Sequence, residues 1–124
     1  MPLEELEREI AADVDFWGYE EDGQLLGVMG IQKVKDVQLI RHAYVLPGTQ
    51  GKGIGTQLLA HLEGIAEKPL LIGTWRDATW AIRFYERHGF ELVPESERVE
   101  LLRRYWTLIS DRQVEVSIVL RQRS

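Results

Sequence analysis

Gln50-Gly51-Lys52-Gly53-Ile54-Gly55 stands between two runs of different periodicity. Before it, Val37 to Val45 is apolar and strand-like. After it, Ile54, Leu58, Leu59, Leu62 and Ile65 recur at helical spacing. Glycines at alternate positions keep side chains clear of the place where strand becomes helix. Backbone N–H groups at the helix N-terminus are then free to meet an anion, because unpaired donors and the positive end of the helix dipole coincide there. The stretch therefore predicts a phosphate-bearing ligand. Two common phosphate loops do not fit it. The chain has no G-x-x-x-x-G-K-[ST] run, and a G-x-G-x-x-G fingerprint would need glycine where Thr56 stands.

The spacing that does fit is Q-x-x-G-x-G, with Gln50, Gly53 and Gly55. It resembles the pyrophosphate-binding loop of the GNAT (acyl-CoA N-acyltransferase) superfamily. Further on, Ala81-Ile82-Arg83-Phe84-Tyr85-Glu86-Arg87-His88-Gly89-Phe90 resembles the second signature of that superfamily, A-x-x-F-Y-x-x-x-G-F. Two signatures in the right order are far more specific than either alone. With their strands they resemble the family over residues 16 to 120.

The composition is that of a globular protein, 44% hydrophobic and 28% charged, and 124 residues suffice for one domain, read here as 1–124. No apolar run approaches the roughly 20 residues that span a bilayer, so no membrane partner is expected. The acidic start, Met1-Pro2-Leu3-Glu4-Glu5, is not a secretion signal, and the cytoplasm is the expected compartment. Without cysteine there is no disulfide, thiol nucleophile or thiolate metal site, and no metal is expected. A net charge of −5 argues against nucleic acid as a partner.

Leu3, Leu6 and Ile10 predict a short amphipathic helix over residues 3 to 12. Phe16 to Glu20 and Leu25 to Gln32 read as strands joined by a Glu21-Asp22-Gly23 turn. Val37 to Val45 is a third strand, and residues 53 to 66 a helix. Pro69 to Thr74 is a buried strand, 78 to 88 a helix stopped by Gly89, and Phe90 to Val93 a strand. A helix up to about Trp106 and a last strand from Gln113 to Arg121 complete the order. The fold class is α/β (α+β), a mixed, mostly antiparallel central sheet flanked by helices. The resemblance implies the acyl-CoA N-acyltransferase fold. GNAT domains usually begin with one more strand and one or two longer helices, so the chain resembles a member shortened at its N-terminus. A second copy could supply the missing wall, so the shortening points to a homodimer or to a truncated product with impaired acceptor binding.

The family resemblance implies acetyl-CoA as cofactor and direct acyl transfer to an amine, either a small molecule or a peptide. The amides of Gln50, Gly51, Lys52, Gly53, Ile54 and Gly55, with Thr56, would cradle the pyrophosphate; the alternative is a tight turn with close helix packing. Main-chain N–H groups of Tyr44, Val45 and Leu46 would meet the pantetheine and thioester. Such donors are typically worth about 3 kcal/mol each to an oxyanion. Ala78 stands where many members carry an asparagine that bonds the pantetheine arm, leaving Thr79 or water to do so. Ala81 and Phe84 complete the cofactor-binding set.

Tyr85 is the candidate acid. A phenol near 10 and a thiol near 8.5 put proton transfer to the thiolate uphill by about 1.5 units, or roughly 2 kcal/mol. A packed core tyrosine is the competing reading. An alkyl ammonium costs roughly 4.6 kcal/mol to deprotonate at pH 7, so a base is needed. His42 is the candidate by type, on the face of the strand that alternation gives to Ile40 and Tyr44; a structural histidine is the alternative. His88 reads as a helix cap. Trp75, at the rim after the buried strand, either lines the acceptor pocket or packs. Trp80 is assigned to the cofactor mouth and Trp106 to an edge or interface. The rival function is a non-catalytic acyl-CoA-binding sensor or partner-binding module.

Overall fold

The structure is a computed structural model and describes residues 3–9, by backbone alone, together with 14–49, 53–106 and 109–123. The chain divides into two units, Met1–Lys68 and Pro69–Ser124.

The first unit holds strands β1 (Leu3–Glu9), β2 (Val14–Glu21), β3 (Gln24–Val34) and β4 (Val37–Val45), then helix α1 (Ile54–Ile65). Each strand pairs antiparallel with the next. Asp22 and Gly23 both have positive φ, 52° and 79°, the twist that a two-residue hairpin between right-twisted strands requires. The helix expected over residues 3 to 12 is instead strand β1. A helix that short is marginal by itself, whereas a strand along β2 satisfies that strand's outer backbone groups.

α1 buries Ile54, Leu58, Leu59 and Leu62. At 1.5–3 kcal/mol for each fully buried side chain, this stripe contributes on the order of 8 kcal/mol before ordering costs. It lies on the face of the sheet that carries Trp17, Gly27 and Met29. The Trp17 ring meets His61 of α1 edge-on, with centroids 4.4 Å apart, and Trp17 pairs with Met29. A Cβ on Gly27 would lie 2.9 Å from Ile54 Cγ2 and 3.2 Å from the Tyr44 carbonyl, so glycine there admits the first turn of α1. Gln38 is buried and its Oε1 accepts from the amides of Glu67 and Lys68, fixing the chain beyond α1.

The second unit holds β5 (Leu70–Trp75), α2 (Thr79–Arg87), β6 (Phe90–Leu92), α3 (Glu95–Tyr105), α4 (Asp111–Val116) and β7 (Ser117–Gln122). β7 lies between β5 and β6, antiparallel to both. Leu70, Leu71 and Ile72 are all buried, as expected of a central apolar run, and with Phe90, Val119 and Leu120 they make the core. The last strand starts later than its alternation predicts. The Ser110 hydroxyl accepts from the amide of Gln113 while the Gln113 Oε1 accepts from the amide of Ser110, and this capping box winds residues 111–116 into α4. Arg98 is the buried charge among the described residues of this unit. Its guanidinium donates to the carbonyls of Val114 and Ser117, at the α4–β7 junction, and to both oxygens of Glu95. That holds the Glu95 carboxyl below its usual range.

Candidate active site

In the first unit the predicted site residues lie at the end of β4 and the start of α1. Along β4, Ile40 pairs with Ile31, Arg41 with Gly30, Tyr44 with Val28 and Val45 with Gly27. Met29 thus faces two residues, His42 and Ala43: a β-bulge, with His42 in the left-handed region at φ 54°. Such a φ at a non-glycine residue costs about 1–2 kcal/mol. The extra residue changes the phase of the strand. Tyr44 shares a face with Arg41, opposite Ile40, so the expectation that Ile40, His42 and Tyr44 lie together is corrected. His42 does share the face of Tyr44. Its exposed ring sits 5.6 Å from that of Phe16, the cross-strand partner of Gly30.

Tyr44 is 54% exposed and Val45 half-buried. The amide expected to be free at Leu46 is not, because it donates to the Leu26 carbonyl at 2.8 Å. The Leu46 carbonyl in turn accepts from both the amide and the hydroxyl of Thr49, at 3.2 and 2.6 Å. Leu46 is therefore a fixed corner, with the strand extended one residue beyond β4.

Gln50, Gly51 and Lys52 lie outside the described residues. Gly53 caps α1 with φ 70° and ψ 23°. A Cβ there would meet nothing within 4 Å, so backbone conformation rather than space calls for glycine. Among the described residues no side chain caps α1, and its first turn carries no acid. α3 and α4, by contrast, carry Glu95, Glu97 and Asp111 in theirs. The positive end of α1 is therefore uncompensated by charge of its own. Ile54 is buried, Gly55 half-buried and Thr56 exposed.

In the second unit the predicted site residues lie in the β5–α2 turn and on α2. The Ala78 amide donates to the Trp75 carbonyl at 3.0 Å, and the Thr79 amide to the Asp77 carbonyl at 2.9 Å. Ala78 is the N-cap residue and offers no side-chain bond. Trp75 and Trp80 are 71% and 74% exposed. Ala81 and Phe84 are half-buried. Tyr85 is only 6% exposed, and its ring meets those of Phe84 and Phe90 edge-on at 5.2 and 5.9 Å. Burial pushes the phenol up to about 12, because desolvation disfavours the phenolate. The phenol is thus a weaker acid than that of a free tyrosine. Against a thiol near 8.5 its proton transfer is uphill by about 3.5 units, or roughly 5 kcal/mol, rather than 2. His88 is the C-cap residue of α2, its Nδ1 donating to the Phe84 carbonyl at 2.7 Å, in keeping with the expected capping role. Trp106, expected at an edge or interface, lies over Gly73 of β5.

Among the described residues no three histidine, cysteine or carboxylate groups gather to hold a metal, and no helix is long and apolar enough to cross a membrane. The bulge at His42 and the buried Arg98 escaped the sequence reading. An αL bulge residue is usually glycine, and an arginine among Glu95, Glu97 and Glu100 reads as part of a solvated helix face.

Residues 12–92, well over half of the chain, match the family model described as "Acetyltransferase (GNAT) domain". The chain is 29% identical over 82 residues to the peptidyl-lysine N-acetyltransferase YiaC of Escherichia coli (strain K12). That segment is 66% of this chain and 53% of the relative, so the chain spans about half of the relative's length. A GNAT family acetyltransferase from Elizabethkingia anophelis with acetyl-CoA bound is 20% identical with a TM-score of 0.69, covering 93% of this chain and 78% of the other. The IAA acetyltransferase from Bacillus cereus ATCC 14579 is 22% identical with a TM-score of 0.66, covering 88% and 77%. At such identities the likeness is one of fold: a mixed sheet flanked by helices.

Proposed function

The chain belongs to the GNAT acetyltransferase family, and on that premise we propose that it moves an acetyl group from acetyl-CoA to a primary amine by direct attack. The amine nitrogen attacks the thioester carbonyl, the C–S bond breaks, the nitrogen gives up a proton and the departing thiolate takes one. The observation that carries this reading is the start of α1. A left-handed glycine cap, no side-chain cap and no acid in the first turn leave a helix terminus suited to a pyrophosphate. Gln50 to Thr56 would hold it, with Val45, whose amide faces away from β3 because the register commits that of Tyr44 to Val28, offering its main-chain N–H to the pantetheine and Thr79, Ala81 and Phe84 completing the set. The similarity to a peptidyl-lysine N-acetyltransferase supports a lysine-type acceptor.

Tyr85 is the acid of this proposal. Its raised pKa does not by itself disqualify it, since low-dielectric surroundings raise a leaving thiolate's affinity for the proton as well. His42 is the base, directly or through water. Its exposed ring on a bulge supports this, because strained backbone gathers at functional sites. Trp75 is assigned to the acceptor. The homodimer in the cytoplasm belongs to the same proposal: β1 pairs on one side with β2, and an outer strand is a template for a second copy. Sedimentation at micromolar concentration tests the stoichiometry, and a monomer removes it.

The experiment is thiol release from acetyl-CoA across a panel of amines, paired with the unfolding midpoint. At 100 times the dissociation constant, acetyl-CoA should add about 2.7 kcal/mol and ATP or NAD nothing. No shift and no thiol release would reject the proposal. The bare Ala78 cap and the weak acid favour a second reading, an acyl-CoA-binding module without catalysis. A midpoint shift without acetylation of any amine would select it.

A further inference from the structure

Three of the four tryptophans stand in the second unit, near the end of β5 or in the turn and helix that follow. Trp106 lies over Gly73, where a Cβ would come within 2.8 Å of its Cζ2 and 3.0 Å of its Cε2. Trp75 is two residues further along β5 and so on the same face as Gly73. The turn closed by the Ala78 amide on the Trp75 carbonyl brings the chain round to Trp80. Both Trp75 and Trp80 are nearly three-quarters exposed. Between them stands Asp77, exposed and, among the described residues, with no ion pair or hydrogen bond to its carboxylate. Its neighbour Arg76 does not neutralise it. That guanidinium reaches the Glu115 carbonyl at 3.3 Å and Glu95 at 4.0 Å.

Exposed indoles and a carboxylate within five residues of one another, across a single turn, can attract organic cations through the ring quadrupole and the charge together. Both indoles are also open to solvent. A small ligand is ordinarily enclosed in a concave site that buries most of its surface. Indoles this exposed instead offer a strip on which an extended chain can lie. Gly73 to Trp75 alone spans about 7 Å at strand rise. We propose that the Trp75–Asp77–Trp80 strip, continued by Trp106, binds a basic residue of a peptide acceptor and so selects lysines that have a second cation near them. This deepens the acetyltransferase reading and rests on it for the identity of the acceptor.

The test uses two capped peptides of one sequence, each with a single acceptor lysine. Two residues from it, one peptide carries trimethyllysine, a cation that cannot be acetylated, and the other carries alanine. Calorimetric titration of the full chain should show the trimethyllysine peptide binding about tenfold more tightly. Trp75→Ala or Trp80→Ala should bring that ratio close to one, and Asp77→Asn should lower it severalfold. Both indoles are exposed enough to be removed without unfolding, and circular dichroism checks this. Equal binding of the two peptides by the unaltered chain overturns the proposal, as does a preference that survives both tryptophan variants. Thiol release separates the two readings. A preference with no acetylation of any amine leaves the strip standing and rejects the enzyme, whereas acetylation with no preference rejects the strip alone.

Discussion

Replacing Tyr85 by phenylalanine should change how stability responds to alkali, by an amount that the burial of its hydroxyl sets. The phenol is raised from 10 to about 12 in the folded chain by desolvation. A folded-state pKa above the unfolded one means that the folded chain holds the proton more tightly. The associated stability is fully present below pH 10 and is lost as pH climbs from 10 through 12. Two units correspond to about 2.7 kcal/mol in all, of which about 1.4 kcal/mol should be gone by pH 11. The other tyrosines, lysines and the backbone also respond in this range, so the informative quantity is a difference. Urea unfolding of the parent and of Tyr85→Phe at half-unit steps from pH 8 to 11.5 gives two curves. Below pH 9.5 they should run parallel, offset by whatever the lost hydroxyl contributes. Above pH 10 the parent should fall faster, closing on the variant or crossing it. Ultraviolet titration of phenolate absorbance should show the variant lacking one late-ionising tyrosine. Curves that stay parallel to pH 11.5 would refute the argument, because they would mean that the hydroxyl is as well solvated in the folded chain as in the unfolded one. The same variant bears on chemistry: it should lose turnover while keeping the acetyl-CoA-induced rise in midpoint.

Gly73→Ala should cost about 1–3 kcal/mol by overpacking against Trp106, and tryptophan fluorescence should report the displaced indole; an unchanged spectrum with unchanged stability would contradict the contact. Arg98→Met leaves the carbonyls of Val114 and Ser117 without their guanidinium and should cost about 3 kcal/mol, read from the denaturant midpoint, with a loss under 1 kcal/mol counting against it. Gly53→Ala meets no neighbour, so it should cost only the left-handed backbone, about 1–2 kcal/mol. Its larger effect should be on acetyl-CoA affinity by calorimetry, and unaltered affinity would detach the cap from the ligand.

Much of the fold could be read in the residues because local pattern and tertiary demand agree there. Val37 to Val45 is β4 with the bounds its apolar run implies, the Asp22-Gly23 pair turns a hairpin, and the Ile54, Leu58, Leu59, Leu62 stripe is the buried face of α1. Where the two disagree, tertiary structure decides. Leu3 and Leu6 follow a helical period, yet the unpaired side of β2 draws them into a strand. Val114, Val116 and Ile118 alternate like a strand, yet Ser110 and Gln113 wind the first two into α4. A bulge leaves no mark in composition, so the phase change between Ile40 and Tyr44 was invisible until the register was known. For the candidate site, residue types were legible and availability was not. Leu46 has a main-chain donor like any residue, and only the pairing shows it occupied by Leu26.

The seat of Ile54 against Gly27 carries one more consequence. The residue that opens α1 is also one of the most deeply buried in the chain, so the core, and not the anion, decides where the helix begins. The amides of its first turn are aimed by that packing, and a ligand arriving there has no helix to order. Affinity at this terminus is thus tied to packing against β3. A substitution that loosened Ile54, such as Leu58→Ala beneath it, would weaken an anion that it never touches, and would do so by letting the donors wander rather than by removing any of them.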